Sequence, residues 1–253
     1  TAFQLEKVLG IPSGFWLKRE KTYRQELYEL LEQVKLGKEG DWLRAFPVNE
    51  ITKLGWIPDS KEKHHLVNSL LKFFSVASVS DWEKIYLGNK VSTTFRLSLA
   101  HIQNPHAVSA WLRRGEIQAS ELTVEKFDKT RFNKALSEIK ELAFLKPDNF
   151  ARHLQTICAN CGVALVFTPN FLQAPVGGAT RWFHNKPIIQ MPFQDKTTEQ
   201  FWFTFFHEAA HLILHGKRDV FLENVEGIET DHRKEEEANA FAVKILLTEI
   251  ELI

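Results

Sequence analysis

The chain of 253 residues carries 32 Lys and Arg against 32 Asp and Glu, so no net field draws it to a phosphate backbone, and any affinity for DNA must come from a local patch. That length can bury a large core and divide into more than one domain. Neither a charged-then-apolar leader nor an apolar run of about 18 residues occurs, which argues against secretion or membrane spanning and leads us to expect a cytoplasmic protein.

In chain order, Thr1 to Leu27 reads as two short helices split by Gly10-Ile-Pro-Ser-Gly14. This stretch resembles the last two helices of an XRE or HigA-antitoxin-like helix-turn-helix domain. The resemblance implies a recognition helix before Thr1, and since the chain begins without Met, a fragment of a longer protein is expected. DNA would then be reached only through a part missing from this chain. From 28 to 148 the pattern is mainly helical. Glu26 to Leu36, Lys61 to Val76, Ser80 to Tyr86, Thr94 to Ala100, His106 to Gly115 and Thr130 to Leu142 each repeat apolar residues at three- and four-residue spacing. Breaks fall at Gly37 to Asp41, Pro47, Gly55 to Asp59, Gly88 to Ser92, Asn104-Pro105 and Lys146-Pro-Asp148. Arg113 and Arg114 suit a basic contact for a partner or, more simply, a solvated helix end.

A helix predicted over Phe150 to Asn160 ends at the only two cysteines, Cys158 and Cys161. Their spacing suits half of a zinc ribbon or a redox pair, but no second pair follows, so buried thiols acting as small apolar residues are expected. Gly162 to Phe167, Gly178 to Phe183 and Pro187 to Met191 then read as three short strands. Helices followed by such a sheet predict an α+β, mainly α chain in three parts: 1–27, a helical 28–148, and 149–253 with a short three-stranded sheet.

The run Phe201-Trp-Phe-Thr-Phe-Phe-His-Glu-Ala-Ala-His-Leu-Ile-Leu-His215 places a His-Glu-x-x-His pair inside an apolar helix. His207 and His211 leave one helical face and can bind one ion, while Glu208 borders it as a general base. Two His and one Glu among so many apolar neighbours need partners, and a metal supplies one. The plainer reading is a core helix whose histidines bond only to backbone. His215 repeats the four-residue step and is read as capping the helix end. Of the other histidines, His64, His65, His101, His106, His153, His184 and His232, none has metal spacing to another.

A catalytic zinc keeps three protein ligands and one open position. In Asp231-His-Arg-Lys-Glu-Glu-Glu-Ala-Asn-Ala-Phe-Ala242, the small residues Ala238, Asn239 and Ala242 share a face with Glu235, which makes Glu235 the favoured third ligand. Glu237 comes second, and Asp231 remains a further carboxylate.

The blocks Phe203-Thr-Phe-Phe-His-Glu-Ala-Ala-His-Leu-Ile-Leu-His215 and Glu235-Glu-Glu-Ala-Asn-Ala-Phe-Ala242, with the stretch Ala174 to Met191, resemble the ImmA/IrrE-type metallopeptidases, relatives of the gluzincins. The resemblance implies zinc held by His207, His211 and Glu235, with Glu208 catalytic and Asn239 in a weaker role behind a zinc histidine. Trp111-Leu-Arg-Arg-Gly-Glu116 with Phe95-Arg96 is similar to the helical region between the helix-turn-helix and peptidase parts of some such regulators. In zinc peptidases of this plan an edge strand holds the substrate backbone, and Gly178 and Ala179, following Gly177, offer little side chain to obstruct it; a plain loop and hairpin reads equally well. Arg181 or His184 beside that strand is a candidate oxyanion stabiliser. The implied function is a zinc-dependent endopeptidase acting on a specific protein, a transcriptional repressor or antitoxin-like regulator. The alternative is a regulatory sensor or binding module that uses a peptidase fold as a docking surface.

Overall fold

The computed structural model describes residues 1–88, 98–145, 149–192, 197–217, 220–223, 225, 227 and 231–247. It is α+β and mainly α, with two compact units, Thr1–Ser75 and Val76–Ile253. No helix among the described residues is long and apolar enough to cross a membrane.

In the first unit, α1 (Ala2–Leu9) ends at Gly10, whose φ of 68° lets its N–H return to the Glu6 carbonyl. Pro12 then precedes α2 (Ser13–Lys38), which runs unbroken through position 27 and absorbs the helix predicted over Glu26 to Leu36. Two short helices, α3 (Gly40–Arg44) and α4 (Val48–Lys53), fill an interval where the sequence predicts only breaks. Neither spans two full turns, too little for a period to register. With α5 (Lys63–Phe74) they bury Trp42, Phe46, Ile51, Leu70 and Phe74. Trp42 meets Phe46 edge-on at 4.8 Å.

The second unit opens with α6 (Val79–Tyr86), capped by the Ser78 hydroxyl, which accepts from the Asp81 N–H at 3.2 Å. The predicted helix over Thr94 to Ala100, with Phe95-Arg96, lies largely outside the described residues, and 98–100 are not helical. Next come α7 (Pro105–Glu121), α8 (Lys129–Leu145) and α9 (Phe150–Asn160). The prediction stopped α7 at Gly115, but the helix runs on to Glu121, and the glycine serves its close approach to the sheet rather than its end. A Cβ there would lie 2.0 Å from Gln190 Oε1.

Among the described residues the sheet has four strands, ordered β1 (Ala164–Phe167), β3 (Lys186–Met191), β2 (Gly178–Phe183), β4 (Phe221–Glu223). β1 runs parallel to β3, and β2 is antiparallel to both β3 and β4. Residues His184 and Asn185, at φ 47° and 65°, make the tight hairpin turn between β2 and β3. Strand β4 was not legible: three residues are too few to alternate visibly.

Alternation sorts the two faces. Leu165, Ile189 and Met191 join Leu154, Cys158, Phe205 and Phe206 in one core beneath α8, α9 and α10 (Thr198–Leu214). Ala164, Val166 and Ile188 face Ala119 of α7 on the other side. There Trp111 Nε1 donates to the Thr168 carbonyl at 3.1 Å, and Gln190 Nε2 to the Trp111 carbonyl at 2.7 Å. Both cysteines are buried and free, and burial pushes the Cys158 thiol up.

Candidate metal centre

α10 starts at a reciprocal cap. The Thr197 hydroxyl accepts from the Gln200 N–H at 3.3 Å, and Gln200 Oε1 accepts from the Thr197 N–H at 3.2 Å. From this fixed start the helix carries His207, Glu208 and His211 into the core at 3 %, 0 % and 1 % exposure, which is costly for polar groups left without partners. α11 (His232–Leu246) packs against it through Ala238 and Ala242, both fully buried. Their small size allows the close approach that brings Glu235 to the histidines. Asp231 is not near them as a ligand: it caps α11, accepting from the Lys234 N–H at 3.4 Å.

Glu235 Oε2 lies 3.2 Å from His207 Nε2, Glu235 Oε1 lies 3.7 Å from His211 Nε2, and the two Nε2 atoms are 3.0 Å apart. Three donors of a tetrahedral ion at about 2.0–2.1 Å stand about 3.3 Å from one another, so the spacing is that of a metal site. Two imidazole nitrogens aimed at each other over 3.0 Å also need a proton or a cation between them. His207 Nδ1 faces Asn239 Oδ1 at 2.9 Å, which puts the proton on Nδ1 and leaves Nε2 to bind.

Electrostatics agree with that assembly. Burial opposes charge on His207, but its hydrogen bond with Glu235 and the carboxylates of Glu208, Glu223 and Glu235 lift its pKa above the usual imidazole value. Burial dominates at His211 and lowers it. For Glu235, burial works against ionisation, yet the hydrogen bonds to both histidines hold its pKa at about 2. Glu208 is the opposite case: burial, aided by Glu223 and Glu235, pushes its pKa up to about 8 although His207 pulls it down. Both its carboxylate oxygens are buried without a hydrogen bond of normal geometry among the described residues, and the nearby Thr180 Oγ1 donates to the Glu208 main-chain carbonyl at 3.1 Å.

The remaining candidates fall elsewhere. Gly178 lies against Glu208: a Cβ there would stand 2.6 Å from Glu208 Oε1. Ala179 is buried on the α7 side of β2. Arg181, 2 % exposed, lies on that same side, where Nη2 donates to the Leu112 carbonyl at 2.6 Å and Nε lies 3.9 Å from Glu116. His184 is exposed in the hairpin turn. The expectation of a free edge at β2 is corrected: the strand is interior, paired with β3 on one side and β4 on the other, because Phe221–Glu223 adds a strand the sequence did not reveal. Nor does Arg113 stand free for a partner, since it folds back onto Glu116 at 3.0 Å.

Several contributors were missed. Phe221 stacks on the His211 ring at 3.7 Å and 14°. Glu223 adds negative charge beside Glu208. Glu237 turns from the metal position to His215 Nε2, 3.2 Å away. A second grouping, Glu62, His64 and His65, was not expected from spacing. It sits at the start of α5, with Lys61 and Lys63 flanking Glu62, where the positive helix end and both ammonium groups oppose a cation.

No curated protein and no solved structure matches the chain. Residues 163–253, the stretch that contains all of these side chains on α10, α11 and the strands β1 to β4, match the family model described as an IrrE N-terminal-like domain, a peptidase family, and this supports an ImmA/IrrE-type peptidase.

Proposed function

We propose that the protein is a zinc-dependent endopeptidase. The observation that carries this reading is the meeting of His207, His211 and Glu235 at ligand spacing, with the buried Glu208 carboxylate on the next residue of the same helix. When bound, zinc supplies Lewis acidity, polarising a peptide carbonyl and acidifying water at neutral pH. His207 and His211 hold it by Nε2 and Glu235 by a carboxylate oxygen. Glu208 takes the proton of the attacking water and returns it to the departing amine. A group pushed up toward neutrality by burial is suited to both transfers.

Among the described residues β4 ends the sheet beside this centre, so an extended substrate strand has a place to add there, with Gly178 letting Glu208 lie close against β2. The substrate we infer is a single protein, a repressor or antitoxin-like regulator, supported by the likeness of residues 1–27 to a helix-turn-helix end. The decisive experiment incubates the purified protein with such a regulator, with and without chelator. Cleavage should require zinc and should be lost, at least 100-fold, in Glu208→Gln while elemental analysis still finds zinc. Equal turnover by Glu208→Gln and parent would refute the role of Glu208. Regulator bound but uncleaved by the zinc-loaded parent would favour a docking module.

A further inference from the structure

We propose that His215 is a positioning residue for His211, held in turn by Glu237, so that a relay running away from the metal fixes which nitrogen of His211 is free to bind. The inference rests on the zinc reading above.

His215 is the first residue beyond α10. Its backbone is extended (φ −108°, ψ 167°), while its N–H still caps the His211 carbonyl at 3.1 Å. This turn folds its ring back over the preceding one. His215 Nδ1 lies 2.9 Å from His211 Nδ1, and its ring is only 4 % exposed. On its far side, His215 Nε2 lies 3.2 Å from Glu237 Oε2, and Glu237 Oε1 forms an ion pair with Arg233 Nε at 3.1 Å.

With His215 neutral and a carboxylate at its end, only one proton arrangement satisfies this chain. Glu237, ionised, accepts only, so His215 Nε2 carries a proton and donates. A neutral His215 then offers the lone pair of Nδ1, and His211 must donate from Nδ1–H. His211 Nε2, 3.7 Å from Glu235, is left with its lone pair toward the ligand cluster. His207 is set in the same way, its Nδ1 facing Asn239 Oδ1. His215 itself is no third ligand, because its Nδ1 faces the back of His211 rather than the ligand atoms. The Arg233 contact is worth little, being 84 % exposed on the arginine side.

Partners behind a ligating histidine are typically worth 10–100-fold in metal affinity. The test measures zinc dissociation constants by chelator competition and histidine tautomers by long-range ¹H–¹⁵N spectra, on the full chain. His215→Phe keeps an aromatic ring beside Phe221 but no acceptor, and should weaken zinc by about 10–100-fold. His215→Asn places a carbonyl oxygen near the former Nδ1 and should recover most of the loss. Glu237→Ala, at a half-exposed position that folding tolerates, should fall between them. The spectra should show His211 protonated at Nδ1 and His215 at Nε2, with and without zinc.

Equal affinity in His215→Phe and parent, or no advantage of Asn over Phe, overturns the proposal, as does a His211 protonated at Nε2 in the metal-free parent. A parent that takes up no zinc refutes the peptidase reading instead, and the metal-free tautomers then still decide the relay.

Discussion

Glu235 shows how far one side chain can be read from spacing. Its place on the small-residue face of α11 was legible because Ala238, Asn239 and Ala242 are its neighbours at three, four and seven residues. Glu237, two residues on, differs only in rotation about the helix axis, and that alone sends it to His215. Phe221 and Glu223 had no such signal. They reach the centre through strand pairing, which no local pattern encodes. Asn239→Ala should cost about 10–100-fold in zinc affinity by chelator competition, because His207 Nδ1 loses its acceptor. Glu235→Ala should cost more, since a ligand is removed outright, and unchanged zinc by elemental analysis would deny it that role. Cys158 and Cys161 should resist thiol reagents in the native protein and both react on denaturation, as burial raises both thiols.

At the scale of elements, long periodic helices were legible and short ones were not. α9 was predicted over the residues it occupies, and α5, α6 and α8 to within a few positions, because each repeats its apolar stripe for at least two turns. β2 and β3 were legible through their turn and alternation, but strand order was not, which is why β2 was expected to be an edge. Its interior place makes Gly178 consequential. Gly178→Ala would press a methyl group to 2.6 Å from Glu208 Oε1, backed by Thr204 at 3.0 Å. Peptide cleavage should drop at least tenfold with zinc retained, the signature of a displaced base rather than a lost ligand. Enlarging the α10–α11 contact is the complementary change. Ala238→Leu should destabilise by about 1–3 kcal/mol in denaturant titration, as a fully buried position has no space for three added carbons.

At the scale of the molecule, the second unit should weaken in mild acid through His106. Its ring stacks on Trp82 at 4.5 Å, and burial holds its pKa down at about 4, below the ordinary 6.5. Neutral in both states above about pH 6.5, it contributes no slope there. Between about 6.5 and 4 the unfolded chain takes up a proton that the folded one refuses, so stability falls with falling pH across that window. His106→Gln should flatten this part of a Tm-versus-pH curve. An unchanged slope would place the acid sensitivity in other groups.

α11 supplies Glu235, Asn239 and Glu237 from a single rigid rod, so one sliding step of about 1.5 Å would dislodge all three at once. An ion seated there would therefore act as a rivet between two rods whose closest approach is through small residues. Withdrawing it should quicken amide exchange along α11 ahead of α9, so that exchange rates would gauge how firmly the two helices are clamped.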